Sequence, residues 1–165
     1  MLKKILYTIA LASYVACSVQ AQEVSEYKPL FGIRGGLTFA PTDFEGSTIV
    51  APTFGMSVKF KISKQPLFFE TGAYYTNRYI YDDSNNSLLF PALLNYHVKL
   101  KSEWCIQPFF GPFIAYGFNQ SEFDGGLRCG VGFSKSKFYI NCGYDISFNY
   151  SIDEDAIFVT AGYNF

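Results

Sequence analysis

Residues 156–165, AIFVTAGYNF, constrain the fold more than any other stretch. Phe165, Tyr163, Ala161, Val159 and Ile157 are apolar or aromatic, while the alternate register holds Asn164, Gly162, Thr160 and Phe158. A period of two with one apolar face is the pattern of a β-strand. A strand that stops on an aromatic residue needs hydrogen-bonding partners along both of its edges. A closed antiparallel barrel supplies both, and in lipid a sheet must close. The stretch reads as the closing stave of a transmembrane barrel. Tyr163 and Phe165 are then the terminal signal by which barrel-assembly machinery would recognise the chain.

Aromatic residues make up 19% of the chain and charged residues 16%, a balance suited to a surface that meets lipid. Mean hydropathy is +0.09, and alternation in a barrel hides hydrophobicity from such an average. Past the N-terminus there is no apolar run near the roughly 18 residues of a membrane helix. Net charge is −1, so there is no basic excess to attract nucleic acid.

At the N-terminus, Lys3 and Lys4 precede an uncharged apolar stretch at 5–17, and Val19-Gln20-Ala21 offers a cleavage site. This is the layout of a secretory signal peptide. The expected organisation is a signal peptide at 1–21, a short tail at 22–29 and a barrel domain at 30–165.

Eight segments of the expected mature chain alternate: 31–39, 50–62, 67–81, 88–100, 105–118, 127–134, 138–148 and 156–165. Most approach the roughly 9–11 residues that a tilted strand needs to cross a bilayer. In 138–148, Phe138, Ile140, Cys142, Tyr144, Ile146 and Phe148 oppose Tyr139, Asn141, Gly143, Asp145 and Ser147. In 67–81 the pattern is broken by Thr71 and Asn77 on the apolar face, and 105–118 is aromatic on both faces. The polar faces are small and sparsely charged, which suits a cramped lumen better than a solvated exterior. The fold expected is an eight-stranded antiparallel up-and-down barrel in a Gram-negative outer membrane, with lipid and glycolipid around it. Phe39, Phe54, Tyr79, Phe90, Phe118 and Phe148 are candidates for an interfacial girdle. Connections at 63–66, 101–104 and 135–136 read as short, and those at 40–49, 82–87, 119–124 and 149–155 as longer, outward-facing loops. Pro91, Pro108 and Pro112 interrupt strands, where each deletes a ladder bond; bulges would accommodate them.

On this reading Arg34, Lys59, Lys61, Arg78, His97, Lys99 and Arg128 point into the lumen, with Glu70 and Asp145 as the acidic partners. Buried charges require pairing, so both carboxylates are expected in ion-pair networks. His97 is the single histidine and reads as a lumen hydrogen-bond partner, without general-base geometry. Cys105, Cys129 and Cys142 lack metal-ligand spacing. A turn at 135–136 would set Cys129 opposite Cys142, though both read as small lipid-facing residues. Gly130-Val131-Gly132 lacks the third glycine of a nucleotide loop; these glycines admit neighbouring lumen side chains. No cofactor or catalytic residue is indicated. The longer connections hold Asp43, Glu45, Asp82, Asp83, Glu122, Asp124, Asp153, Glu154 and Asp155, with no Lys or Arg. Asp153, Glu154 and Asp155 are weak surface candidates for a divalent cation.

LLFPALLNYHVKL at 88–100, IQPFFGPFIAYGF at 106–118, GGLRCGVGFS at 125–134, FYINCGYDISFNYS at 138–151 and the terminal AGYNF resemble the small outer-membrane β-barrel family widespread in Bacteroidetes, the PorT-like barrel domain. The resemblance covers essentially the whole expected mature chain. It implies the barrel fold and an outer-membrane location, and its prolines recur in the family pattern. It implies no assigned reaction; the founding name points to protein secretion and gliding machinery. The function expected is a structural or interaction role in the envelope (integrity, adhesion or a secretion-related assembly), with a narrow channel or a lipid-modifying enzyme as rivals.

Overall fold

The computed structural model describes residues 28–41, 48–63, 65–80, 83–100, 103–118, 122–148 and 155–165. The expected signal peptide and most of the expected tail lie outside them. Alternating segments become strands β1 (Leu30–Pro41), β2 (Thr48–Lys61), β3 (Leu67–Ile80), β4 (Asp83–Tyr96), β5 (Val98–Lys99), β6 (Trp104–Gly117), β7 (Glu122–Lys135), β8 (Phe138–Ser147) and β9 (Ala156–Asn164). Each pairs antiparallel with its neighbours, β4 also pairs with β6, and β9 returns to β1. The Phe165 amide donates to the Phe31 carbonyl at 2.8 Å. The sheet is therefore closed, with no edge left open.

The staves number eight, because β4 and β5 are one stave interrupted at His97. Both pair with β6 in the same register, Asn95 opposite Phe109 and Val98 opposite Ile106. The gap falls opposite Pro108, which has no amide to donate. The prolines need no bulge, since pairing resumes in unchanged register beyond each one. Thr71 turns out to serve one of them: its hydroxyl donates to the Pro91 carbonyl at 2.8 Å, where the β3–β4 ladder lapses.

Outward positions form an apolar belt in which Phe31, Ile33, Leu37, Phe54, Met56, Phe110, Ile114, Ile140 and Val159 are all exposed. Inward positions include Arg34, Lys59, Glu70, Asn95, Gln107, Tyr139 and Asp145, each buried. Apolar outside and polar inside is the inverse of a water-soluble barrel and the pattern of one that stands in lipid. β1 begins and β9 ends at one end of the barrel, the terminal end, where β2 also leads to β3, β5 to β6 and β7 to β8; at the other, the loop end, β1 leads to β2, β3 to β4, β6 to β7 and β8 to β9.

Three expectations are corrected. Residues 83–87 are not part of a long loop. They extend β4 and pair with β3 as far as Ile80 opposite Asp83, and β7 likewise starts at Glu122. Phe54 and Phe90 sit mid-strand in the apolar belt, not in a girdle. Phe118 and Phe148 are exposed at the loop end as expected, joined by Phe123, with Tyr116 packed against Phe118 and Phe123 at 5.6 and 4.9 Å; the Tyr79 side chain lies outside the described residues. The β7–β8 turn lies at Ser136-Lys137, with Ser136 at φ 55°. That shift sets Cys129 opposite Tyr144 and Cys142 opposite Val131, and both thiols are free.

Candidate functional site: the charged lumen

The lumen is assembled by strand register. Lys59 on β2 and Glu70 on β3 are direct partners, and Lys59 Nζ lies 3.3 Å from Glu70 Oε2. Arg34 on β1 reaches the same carboxylate from two strands away, its Nη2 donating to Glu70 Oε1 at 2.7 Å. β2 presents Gly55 opposite Arg34, so no side chain blocks the crossing. Lys59 also donates to Gln107 Oε1 at 2.8 Å, and Gln107 Nε2 donates to Ser134 Oγ at 2.6 Å. The Tyr139 ring lies beside both cations, 4.1 Å from Arg34 Cζ and 4.3 Å from Lys59 Nζ, an arrangement favoured by the ring quadrupole. Asn141 Nδ2 donates to the Tyr139 hydroxyl.

A second pair stands apart. Arg128 on β7 and Asp145 on β8 are register partners. Arg128 Nε and Nη2 donate to the two carboxylate oxygens at 2.7 Å each, the bidentate geometry that suits a guanidinium. The Arg128 guanidinium also covers the Phe158 ring at 4.2 Å.

Aromatic rings fill the space between. Phe109, Phe113 and Phe158 point inward, each over a glycine. A Cβ at Gly130 or Gly143 would fall 2.5 Å from the Phe109 or Phe158 ring, and one at Gly126 would fall 2.7 Å from Phe113. Gly130 and Gly132 thus do what their spacing suggested, admitting lumen side chains. A cavity of about 10 Å³ remains, lined by residues including Arg34, Glu70, Arg128 and Asn141, which is room for about one water molecule.

The structure brings Arg34, Lys59, Glu70, Arg128 and Asp145 into two ion-pair systems. It does not bring in Lys99, which keeps the inward register opposite Cys105 but is exposed at the terminal mouth of the lumen. His97 is half-buried and stacks on Phe68 at 3.9 Å, but its buried Nε2 meets no hydrogen-bond partner among the described residues. The Arg78 side chain lies outside the described residues, as do Asp153 and Glu154. Asp155 has both carboxylate oxygens engaged within the chain, accepting from the Tyr144 hydroxyl at 2.8 Å and the Ser147 amide at 3.2 Å. Among the described residues, no three His, Cys, Asp or Glu side chains are grouped to hold a metal ion. Sequence reasoning missed the parts played by Tyr139 and Gln107. Tyr139 shares the polar register of its strand, which is the signal that could have found it.

At the terminal end, Tyr163 packs against Phe138 and Phe165 at 5.4 and 5.7 Å. Lys137 Nζ lies 5.6 Å from the Tyr163 ring and Lys135 Nζ 5.6 Å from the Trp104 ring.

The model of the outer membrane protein beta-barrel domain matches residues 9–165. The chain belongs to that outer membrane barrel family. It is located in the outer membrane, and its apolar belt is the lipid-facing surface of an outer membrane barrel. None of the curated proteins matches it in sequence. Among solved structures, Neisserial surface protein A (NspA) aligns with TM-score 0.57 at 12% identity, covering 82% of this chain and 95% of its own. The N-terminal β-barrel domain of Pseudomonas aeruginosa OprF aligns with TM-score 0.52 at 11% identity, covering 82% and 97%. Ail, the attachment invasion locus protein of Yersinia pestis, aligns with TM-score 0.50 at 14% identity, covering 84% and 100%. At these identities the likeness is one of fold.

Proposed function

We propose that this barrel has a non-catalytic structural or interaction role in the envelope, exercised through its rims. One observation carries the reading: among the described residues, Arg34–Glu70, Lys59–Gln107–Ser134 and Arg128–Asp145 interlock across the lumen, with the rings of Phe109, Phe113 and Phe158 between them. An eight-stranded barrel is just wide enough for such filling. A chain that conducts nothing through its centre acts through the surfaces that remain. The attachment in the name of Ail, the attachment invasion locus protein, is one form of such a role, and integrity of the envelope or a secretion-related assembly are others. The segments at 88–100 and 106–118 support placing the chain in the PorT-like branch of the family. Purified protein in planar bilayers should show no single-channel steps; stable unitary conductance would favour the narrow channel instead.

The closing strand supports a second element of the reading, entry into the membrane by barrel-assembly machinery. The Phe165 amide is held in the ladder by Phe31 while its side chain is exposed. Deleting Phe165 or making Phe165→Asp should lower outer-membrane levels severalfold in cell fractions. Wild-type levels of both variants would sink this element.

A further inference from the structure

The two ends of the barrel differ in charge. The loop-end connections contain acidic residues and no Lys or Arg, whereas each terminal-end turn contains a lysine. Lys99, Lys135 and Lys137 are exposed there, and their positions relative to the aromatic residues point to what they meet. Lys135 is the register partner of Trp104, and Lys99 that of Cys105, the next residue on β6. Lys135 thus shares the outward face of Trp104, whereas Lys99, opposite Cys105, keeps the inward register and lies at the mouth of the lumen. Lys135 and Lys137 each hold an ammonium 5.6 Å from an aromatic ring centre, those of Trp104 and Tyr163. Trp and Tyr settle at the membrane–water interface with their rings at headgroup depth. A lysine running along such a ring carries its ammonium to the same depth, which is where lipid phosphates lie.

We propose that the terminal-end rim formed by Trp104 and Lys135, continued by Tyr163 and Lys137, binds the phosphate headgroups of anionic phospholipids. The occupant is lipid rather than an acidic polypeptide because Trp104, Lys135, Phe138, Tyr163 and Phe165 lie on the outward, lipid-facing register. A soluble chain would have to displace lipid to reach them. The inference rests on the membrane placement and not on any particular envelope role.

Trp104 is the only tryptophan in the chain, so its fluorescence reports on this rim. The mature protein is reconstituted in phosphatidylcholine bilayers holding equal mole fractions of brominated phosphatidylglycerol or brominated phosphatidylcholine. Brominated phosphatidylglycerol should associate with Trp104 about three- to tenfold more strongly, the scale of one or two lysines at an anionic surface. The preference should shrink at high salt. Lys135→Gln with Lys137→Gln should bring the ratio to near unity while the shift between unboiled and boiled protein on a detergent gel stays as in the native chain. Equal quenching by both brominated lipids around the native protein would overturn the proposal, as would a double variant that keeps the preference. A response of Trp104 to inorganic phosphate or to polyglutamate without any lipid preference would also overturn it, by pointing to a solute or an acidic polypeptide.

Discussion

Arg128 and Asp145 face each other from adjacent strands and close on two bonds of 2.7 Å, one to each carboxylate oxygen. Glu70 has two suitors. Arg34 takes Oε1 at 2.7 Å, while Lys59 stands 3.3 Å from Oε2 and directs its hydrogen bond to Gln107. Arg34 Nε and Nη1 and Glu70 Oε2 are buried without a hydrogen-bond partner among the described residues. The first system staples one pair of neighbouring strands. The second ties β1 to β3 across β2 and carries one more cation than it has carboxylates. A local pair can be geometrically complete because register alone sets it. A pair that spans an intervening strand depends on barrel curvature, and here it is supplemented by the Tyr139 ring.

The largest effect should follow removal of the shared acid. Glu70→Ala leaves two buried cations without a carboxylate, whereas Asp145→Ala leaves one. Breaking a buried pair costs about 3–5 kcal/mol, and Glu70→Ala should sit at or above the top of that range. Urea unfolding in detergent micelles should give a lower midpoint for Glu70→Ala than for Asp145→Ala. Equal midpoints would show that Lys59 contributes nothing to the first system.

Removal of a cation should separate the two systems by size of effect. Arg128→Met strands Asp145 and should cost about 3–5 kcal/mol. Lys59→Met removes the surplus charge and leaves the Arg34–Glu70 pair in place. A buried cation in excess of its carboxylates carries a desolvation cost that its removal relieves, so the Lys59→Met midpoint should fall clearly less than that of Arg128→Met, or not at all. A loss as large as that of Arg128→Met would mean that Lys59, not Arg34, is the principal partner of Glu70.

Much of this was legible in the sequence because a strand's period of two sorts residues onto faces without reference to partners. Arg34, Lys59, Glu70, Arg128 and Asp145 all fall in the polar register, and all are inside. Which of them meet was not legible, since that depends on register between strands, and register depends on turn geometry. The β7–β8 turn shows the sensitivity. Moving it from 135–136 to 136–137 shifts every pairing by two, which is how Cys142 comes to face Val131. Lys99 keeps the inward register through His97, opposite Cys105, but is exposed at the terminal mouth, and alternation alone does not say where along a stave the interior ends. The polar run at 83–87 looked like loop for want of apolar residues. Its backbone is paired with β3, and Asn86 Oδ1 accepts from both Tyr75 and Asn77. That contact also accounts for Asn77, a misfit on the apolar face.

A smaller effect should follow from crowding the ring beside Arg128. A Cβ at Gly143 would meet Phe158 Cζ at 2.5 Å and the Cys129 carbonyl oxygen at 2.5 Å. Gly143→Ala should displace Phe158, over which Arg128 lies, at the cost of about 1–3 kcal/mol typical of overpacking. Because the displaced ring lies directly under Arg128, combining Gly143→Ala with Lys59→Met should come closer to additive midpoint shifts. Combining it with Arg128→Met should give less than the sum.

The smallest effect should come from Tyr139→Phe, and it separates the ring from its hydroxyl. The ring stands 4.1 and 4.3 Å from the two cations of the Glu70 system, and phenylalanine keeps that face. The bond from Asn141 to the hydroxyl is lost, a change of about 1 kcal/mol for one buried hydrogen bond. Tyr139→Leu removes the aromatic face as well and should cost clearly more, since a desolvated cation–ring contact contributes about 2 kcal/mol or more. Comparison with Lys59→Met then sharpens the assignment. If the ring serves mainly to hold the surplus charge, the penalty of Tyr139→Leu should fall when Lys59 is already Met. If the penalty is unchanged, the ring acts through Arg34 alone, and the Glu70 system is at its core a pair, as the Arg128 system is.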